Sequence, residues 1–412
     1  MKILWVKAGK LLPVDAGGKI RSYNILRQLQ KCHKVVLLTH YGGKRDGGYE
    51  NEIRAVFPGA LPVWTGAPDS SQIARLLHYL YCLHSRAPFA VRKFTDKAAG
   101  RMIEQLFEKE QFDAAVCDFL SASLTFPGHL RRKTVLFQHN VESILWDRML
   151  ATERNWLKKM IYWVEAVKMR RYERSTTAEF KHVIAVSEQD RAYMSRSLPK
   201  ERISVVPTGV DLGEYRLGPG AQAPTPLVVF TGTMDFEPNV DGVGYFCREI
   251  WPQVQRAVPN ARFRIVGKKP VPVVSQLASP EIEVTGTVAS VVEHLREAWV
   301  VVVPLRIGGG TRLKIYEAMA SGRAVVSTSI GAEGLEVHHG KDIILADDNG
   351  AFAQAVITLL REPELRKHYE RAAAELVTRF DWSSVAERFA EIVSRSGEAL
   401  TSDKCLQVDA VR

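Results

Sequence analysis

Gly308-Gly309-Gly310-Thr311-Arg312-Leu313-Lys314-Ile315-Tyr316-Glu317-Ala318-Met319-Ala320-Ser321-Gly322 is the stretch around which the rest of the chain is arranged. Before it runs Val300-Val301-Val302-Val303-Pro304, a β-branched run that reads as a strand buried on both faces. Ala324-Val325-Val326-Ser327-Thr328 follows as a second such strand. The residues between predict a helix of about three turns, stopped at its C-terminus by Gly322. Strand, glycine loop, helix and strand make a βαβ unit with the loop at the helix N-terminus.

Such a loop brings backbone N–H groups close to an anion, and the helix dipole favours negative charge there. Arg312 and Lys314 add two cations in the first turn, where cations sit poorly unless something negative occupies the site. A diphosphate fits that description. Glu317, one turn further on, can accept hydrogen bonds from ribose or sugar hydroxyls. A plain glycine turn with solvated basic neighbours fits the same local pattern, and glycine loops are common.

Gly309 through Ala320 resembles the C-terminal signature of the group 1 (family four) retaining glycosyltransferases of the GT-B fold, and Gly331-Ala332-Glu333-Gly334-Leu335 resembles its continuation. The similarity runs over nearly the whole chain. It implies an α/β protein of two Rossmann-like doubly wound domains facing a central cleft. Residues 1–210 would be the acceptor domain, 227–380 the nucleotide-sugar donor domain, and 381–400 a C-terminal helix crossing back to the first. It further implies donor contacts at Gly17, Gly18, Gly232, Gly286, Gly309, Gly310 and Thr311, and a catalytic set of His139, Arg312, Lys314 and Glu317. Two departures stand out. Many members carry two glutamates eight positions apart, and the first falls on Gly309 here. Typical members also place an Arg and a Lys after the strand that opens the second domain. Neither occurs between Thr231 and Gly244, which shifts the cationic work to Arg312 and Lys314.

The chain of 412 residues suits two domains. Its 46% hydrophobic and 25% charged residues are those of a soluble globular protein. The net charge of +10 suits an anionic partner without choosing among a nucleotide, an acidic lipid surface or nucleic acid. Cys32, Cys82, Cys117, Cys247 and Cys405 are odd in number and scattered, against both a disulfide framework and a structural zinc site. No apolar run reaches the roughly 18 residues of a membrane span, and Ile3-Leu4-Trp5-Val6 is too short for a signal-peptide core. A cytoplasmic location is expected, with peripheral attachment at the inner membrane face as a further option. No nucleic-acid module is present.

Along the chain, Lys2 to Lys7 reads as a first strand, followed by Asp15-Ala16-Gly17-Gly18 opening a helix. A glycine pair there lets a ligand approach the backbone, although a tight turn explains it equally. Further strands are expected at Val35–Thr39, Ala114–Asp118, Thr134–Phe137 and His182–Ser187, the last ending at a serine helix cap. The Thr134 strand runs into Gln138-His139-Asn140, at the carboxyl end where open α/β sheets place ligands. The resemblance puts His139 beside the sugar or the acceptor; without it, a structural hydrogen-bonding role fits. Residues Ile144 to Arg174 read as helical, rich in Trp146, Trp156, Trp163 and Lys158, Lys159, Lys168, Arg170, Arg171. A helix pair with buried tryptophans and an amphipathic element on an anionic membrane are the two readings. Leu217 to Pro226 reads as a linker, Leu227–Thr231 as the strand opening the second domain, Asn239 and Asp241 as loop residues, and the tail after Leu400 as aperiodic.

The resulting expectation is retaining transfer of a sugar from a nucleoside-diphosphate sugar to a hydroxyl of a glycan or lipid-linked acceptor. No cofactor is expected, and no Asp-X-Asp metal motif is apparent. A nucleotide-sugar epimerase or hydrolase on the same fold, and a degenerate binding subunit, are the alternatives.

Overall fold

The structure is a computed structural model that describes residues 1–66, 79, 82, 84–153, 155–215, 222–307 and 313–408. Gly308, Gly309, Gly310, Thr311, Arg312 and linker residues 217–221 lie outside the described residues. The chain divides into two compact units, one formed by Met1–Pro207 with Val385–Arg412, the other by Thr208–Ser384.

In the first unit seven parallel strands lie in the order β3-β2-β1-β4-β5-β6-β7. They are β1 (Lys2–Ala8), β2 (Lys34–Tyr41), β3 (Ala60–Trp64), β4 (Ala114–Asp118), β5 (Val135–Phe137), β6 (His182–Ala185) and β7 (Ile203–Val205). Strand β3, at the edge, was not legible beforehand: its Leu61-Pro62 carries a proline, tolerated because an edge strand need not donate every N–H. Helix Gly17–Cys32 follows β1 and buries Ile25, Leu26 and Leu29. Ser187 caps helix Glu188–Met194, its side chain accepting from the Asp190 N–H. Phe389, from the C-terminal helix, packs on Trp5 and Phe137 at ring distances of 5.2 and 5.1 Å.

The second unit has six parallel strands in the order β10-β9-β8-β11-β12-β13. They are β8 (Leu227–Thr231), β9 (Arg262–Val266), β10 (Ile282–Gly286), β11 (Val300–Val303), β12 (Ala324–Ser327) and β13 (Ile344–Leu345). All four valines of β11 are fully buried, as a strand covered on both faces requires. Among the described residues the signature helix spans Leu313–Ala320, about two turns. Gly322, at φ +65°, ends it, with the Arg323 N–H returning to the Ala318 carbonyl at 3.0 Å. Asn239 and Asp241 lie within helix Glu237–Tyr245, not in a loop; Pro238 in its first turn reads locally as a turn signal yet is well placed to start a helix. Tyr316 stacks on Phe380 at 4.6 Å. Gly209 is obligatory, since a Cβ there would lie 2.6 Å from the Trp382 ring. Helix Trp382–Val408 continues past Leu400, where aperiodic chain was expected.

Residues 144–174 form two helices, Glu142–Thr152 and Trp156–Glu179. Of the two readings of this stretch, buried tryptophans fail for Trp156, 68% exposed, and Trp163, 59% exposed, while Trp146 is half-buried. Among the described residues no helix is long and apolar enough to cross a membrane.

Candidate functional site

Two polar clusters sit at the carboxyl ends of the central strands, one in each unit. In the second unit the turns after β8 and β9 pack backbone against backbone. The Gly232 N–H donates to the Val266 carbonyl at 3.0 Å, and a Cβ on Gly267 would fall 1.6 Å from the Gly232 carbonyl oxygen. Only glycine fits at 267. The ammonium of Lys314, the second residue of the signature helix, reaches across to this turn. It donates to Asn239 Oδ1 at 2.9 Å and stands 4.1 Å from the centre of the Phe230 ring, an arrangement that favours a cation. Asn239, itself 6% exposed, is fixed by donating from Nδ2 to the Thr233 carbonyl at 2.9 Å. A Cβ on Gly232 would meet Asn239 Nδ2 at 2.7 Å and Lys314 Nζ at 2.9 Å, so this glycine makes room for the cation.

Glu317 lies one turn beyond Lys314 on the same helix. Burial pushes its carboxyl up to about 6, opposed by a hydrogen bond from Tyr215 and by the Lys314 charge. Burial and the neighbouring Glu317 in turn push the Tyr215 phenol up, so it stays a donor at neutral pH. Tyr215 was missed at the sequence level; it sits beside the linker, and no local pattern pointed to it. Gly286 ends β10 at φ +70°, a conformation that suits glycine. Gly331 closes the turn after β12, where a Cβ would lie 2.4 Å from Ser327 Oγ. The structure thus brings Gly232, Lys314 and Glu317 to one strand end, while Gly309, Gly310, Thr311 and Arg312 fall outside the described residues. Among those described, no group of three or more His, Cys, Asp or Glu side chains is placed to hold a metal ion.

In the first unit the parallel register sets Lys7 beside Asp118 and Asp118 beside Phe137. Asp118, fully buried, accepts from Trp5 Nε1 at 2.9 Å, Lys7 Nζ at 3.0 Å and His139 Nε2 at 2.6 Å. Burial alone would raise its carboxyl, but the Lys7 charge and the interaction with His139 outweigh that and hold it below the usual carboxylate range. His139 is 2% exposed, with Phe137 and Phe119 rings at 4.4 and 5.3 Å. Desolvation lowers its pKa to about 4 despite Asp118, so the imidazole is neutral at pH 7. Since an ionised Asp118 can only accept, the proton is on Nε2 and the Nδ1 lone pair is left as an acceptor. That buried Nδ1 has no hydrogen-bond partner. The expected opening of this ring onto ligand space is therefore met by a buried ring with one unpartnered nitrogen.

The loop that carries His139 is clamped from behind. Glu173 accepts from Gln138 Nε2 at 3.1 Å and from the N–H groups of Glu142 and Ser143 at 2.9 and 3.1 Å. Gly17 and Gly18 open their helix with no side-chain cap at Ala16. A Cβ on Gly18 would stand 3.6 Å from the His139 ring, an ordinary contact. Ser22 Oγ donates to the Gly18 carbonyl at 2.9 Å, and Arg21, 3% exposed, donates to the His139 carbonyl at 3.3 Å.

Comparison with known proteins follows this division. Residues 16–214 match the family described as Glycosyltransferase Family 4, and residues 225–362 that described as Glycosyl transferases group 1. The phosphatidyl-myo-inositol mannosyltransferase of Mycobacterium leprae (strain TN) is 30% identical over 237 residues, 52% of this chain and 60% of that protein. An uncharacterised 44.6 kDa protein in the cps region of Klebsiella pneumoniae is 22% identical over 63% of this chain and 68% of its own length. Among solved structures, Anabaena Alr3699/HepE in complex with UDP and glucose superposes with a TM-score of 0.66 at 14% identity, over 96% of this chain and 100% of that one. Sucrose-phosphate synthase from Thermosynechococcus elongatus gives 0.67 at 16%, over 97% of this chain and 100% of that one. Two family matches in chain order, one mostly within each unit, and a shared architecture of paired parallel sheets lead to one assignment: the chain belongs to the glycosyltransferases of the GT-B fold.

Proposed function

We propose that the chain moves a sugar from a nucleoside-diphosphate sugar to a hydroxyl of a glycan or lipid-linked acceptor, with retention at the anomeric carbon, in the cytoplasm. The observation that carries this reading is the Lys314 ammonium, positioned by Asn239 and Phe230 over a turn whose glycines admit no side chain. A departing nucleoside diphosphate needs fixed positive charge, and a cation already in place reorganises little as the bond breaks. In this reading the anomeric C–O bond breaks with its electron pair going to the diphosphate. The acceptor oxygen bonds on the same face, and its proton passes to the leaving phosphate oxygen. Lys314, with Arg312 and the N–H groups of the glycine loop, holds the diphosphate without a divalent ion. Glu317 and the Tyr215 that orients it hold ribose hydroxyls. His139 Nδ1 accepts a hydrogen bond from a sugar or acceptor hydroxyl. The UDP and glucose bound by the Anabaena protein and the phosphatidyl-myo-inositol in the name of the mycobacterial relative support the substrate classes.

Calorimetric titration with UDP, GDP and ADP in the presence of EDTA tests it on wild type and Lys314→Ala. One nucleotide binds wild type, and the variant loses about 10- to 100-fold in affinity, as removal of a charge-assisted contact requires. Equal binding by both proteins refutes the role of Lys314, and no binding of any nucleotide to wild type refutes the donor site.

A further inference from the structure

A polar pocket opens at the other end of the sheet in the second unit. Arg323 directly precedes β12 and Trp299 directly precedes β11, so both sit at the amino ends of the strands. That is one strand length, about 13 Å for four residues, from the carboxyl ends near Lys314. The pocket holds about 460 Å³, and its walls include Gln222, Arg323, Arg366, Lys367, Glu370 and Arg371. Arg323 and Arg366 are each only 5% exposed. Arg323 donates from Nε to the Ser321 carbonyl and from Nη1 to the Ala298 carbonyl, both at 3.1 Å. The Arg366 guanidinium lies 4.3 Å from the centre of the Trp299 ring and donates from Nη1 to the Leu359 carbonyl at 2.9 Å. Its Nε is buried with no hydrogen-bond partner, 3.7 Å from Glu370 Oε1. Trp299 is itself pinned, its indole N–H donating to the Ala223 carbonyl at 2.8 Å.

Helix ends account for part of this arrangement. The Ser321 and Leu359 carbonyls lie at helix C-termini, where a guanidinium is well placed. That use takes up part of each fork and leaves other N–H groups over. Glu370 is the carboxylate that acts on both guanidinia, and Gln222 Nε2 also donates to it at 3.2 Å. Burial holds both guanidinia below and the Glu370 carboxyl above their ordinary values, so the charges present do not offset the desolvation. At the mouth, Lys367 pairs with Glu364 at 2.9 Å and Arg371 Nε donates to the Lys367 carbonyl at 3.3 Å. Around the pocket four cations face two carboxylates. The excess of two positive charges equals the charge of a phosphate dianion.

We infer that this pocket is a second anion site that takes phosphate, free or as a monoester, between Arg323 and Arg366 with Lys367 and Arg371 at the mouth. Planar guanidinium forks match phosphate oxygens in pairs, and the Trp299 stack holds one fork in place beforehand. A carboxylate would neutralise only half of the excess. The pocket is separate from the turn under Lys314, so the inference stands whether or not the transfer chemistry above is right.

Calorimetric titration of the full chain with inorganic phosphate and with glycerol phosphate tests it, in chloride buffer at constant ionic strength. Every measurement is made on the Lys314→Ala background, which lacks the cation assigned above to the donor diphosphate. Phosphate still binds that protein, and in hydrogen exchange it protects peptides covering residues 321–327 and 363–374. Adding Arg366→Lys, which keeps the charge but loses the fork, weakens binding more than about tenfold. Adding Arg371→Gln weakens it about threefold. Arg371 is exposed, so its variant keeps the fold and carries the test even where the buried Arg366→Lys unfolds. Tighter binding of glycerol phosphate identifies a monoester as the ligand, and equal binding identifies free phosphate. Phosphate binding that is absent from Lys314→Ala, protection confined to other peptides, or Arg371→Gln that binds as tightly as its parent overturns the inference.

Discussion

Lys7→Met tests whether the buried network around Asp118 is as tightly paired as its geometry indicates. Lys7 is 7% exposed and its ammonium lies 3.0 Å from Asp118 Oδ2, while Asp118 is fully buried. Methionine matches the lysine stem in length but leaves the buried carboxylate without its cation, held by hydrogen bonds such as those from Trp5 and His139. Stranding one partner of a buried ion pair costs about 3–5 kcal/mol, far more than the pair contributes relative to an apolar replacement. The chain has two units, so a single unfolding free energy is not defined for it. Hydrogen exchange read by mass spectrometry on peptides covering β1 and β4 isolates the first unit, with β8 and β11 as internal controls. About 3 kcal/mol corresponds to exchange faster by more than 100-fold in the first pair and unchanged in the second. The double variant Lys7→Met/Asp118→Asn removes the stranded charge and regains part of the loss. An effect below tenfold for Lys7→Met, or a double variant that is merely the sum of its singles, refutes the reasoning.

Acidification probes the same region through histidine. His139 and His40 are both buried and held near 4 by desolvation, so between about pH 6.5 and 4 the unfolded chain binds protons that the folded one does not. Stability of the first unit therefore falls with pH across that window, by up to about 3 kcal/mol for each histidine; His40→Gln flattens the exchange profile of β1 and β2, and an unchanged profile counts against this account. In the second unit, Gly267→Ala drives a Cβ into the Gly232 carbonyl, forces backbone apart and destabilises β8 and β9 by at least about 1–3 kcal/mol. Gly18→Ala meets only an ordinary contact and leaves first-unit exchange as it is. Equal exchange in β8 and β9 for wild type and Gly267→Ala refutes the close-packed turn.

How much of this was legible in the sequence depended on whether the cause of a feature lay in neighbouring residues. The βαβ pattern around Val300–Val303 and Ala324–Ser327 follows from local hydrophobicity and appears in the structure with boundaries shifted by a residue or two. Lys314 and Glu317 were found because one helix spaces them. Asp118, Lys7 and Tyr215 were not, because what makes each notable is a partner at long range: Asp118 meets Lys7 through strand register and His139 through the turn after β5. The exposed turns at Trp156–Trp163 show the opposite failure. There composition was plain but left buried and exposed tryptophans both open; only the packing of Tyr162 on Trp146 shows which side of the helix is held. The substitution of Gly309 for a glutamate follows the same logic. With no carboxylate at that position, negative charge near the Lys314 cation comes from Glu317 alone among the signature helix's side chains, Leu313 to Ala320. Glu317 is itself partly neutralised by burial and turned toward Tyr215. The protonation of Glu317 is thus set by its burial and by Tyr215 and Lys314, residues in contact, rather than by its neighbours in sequence.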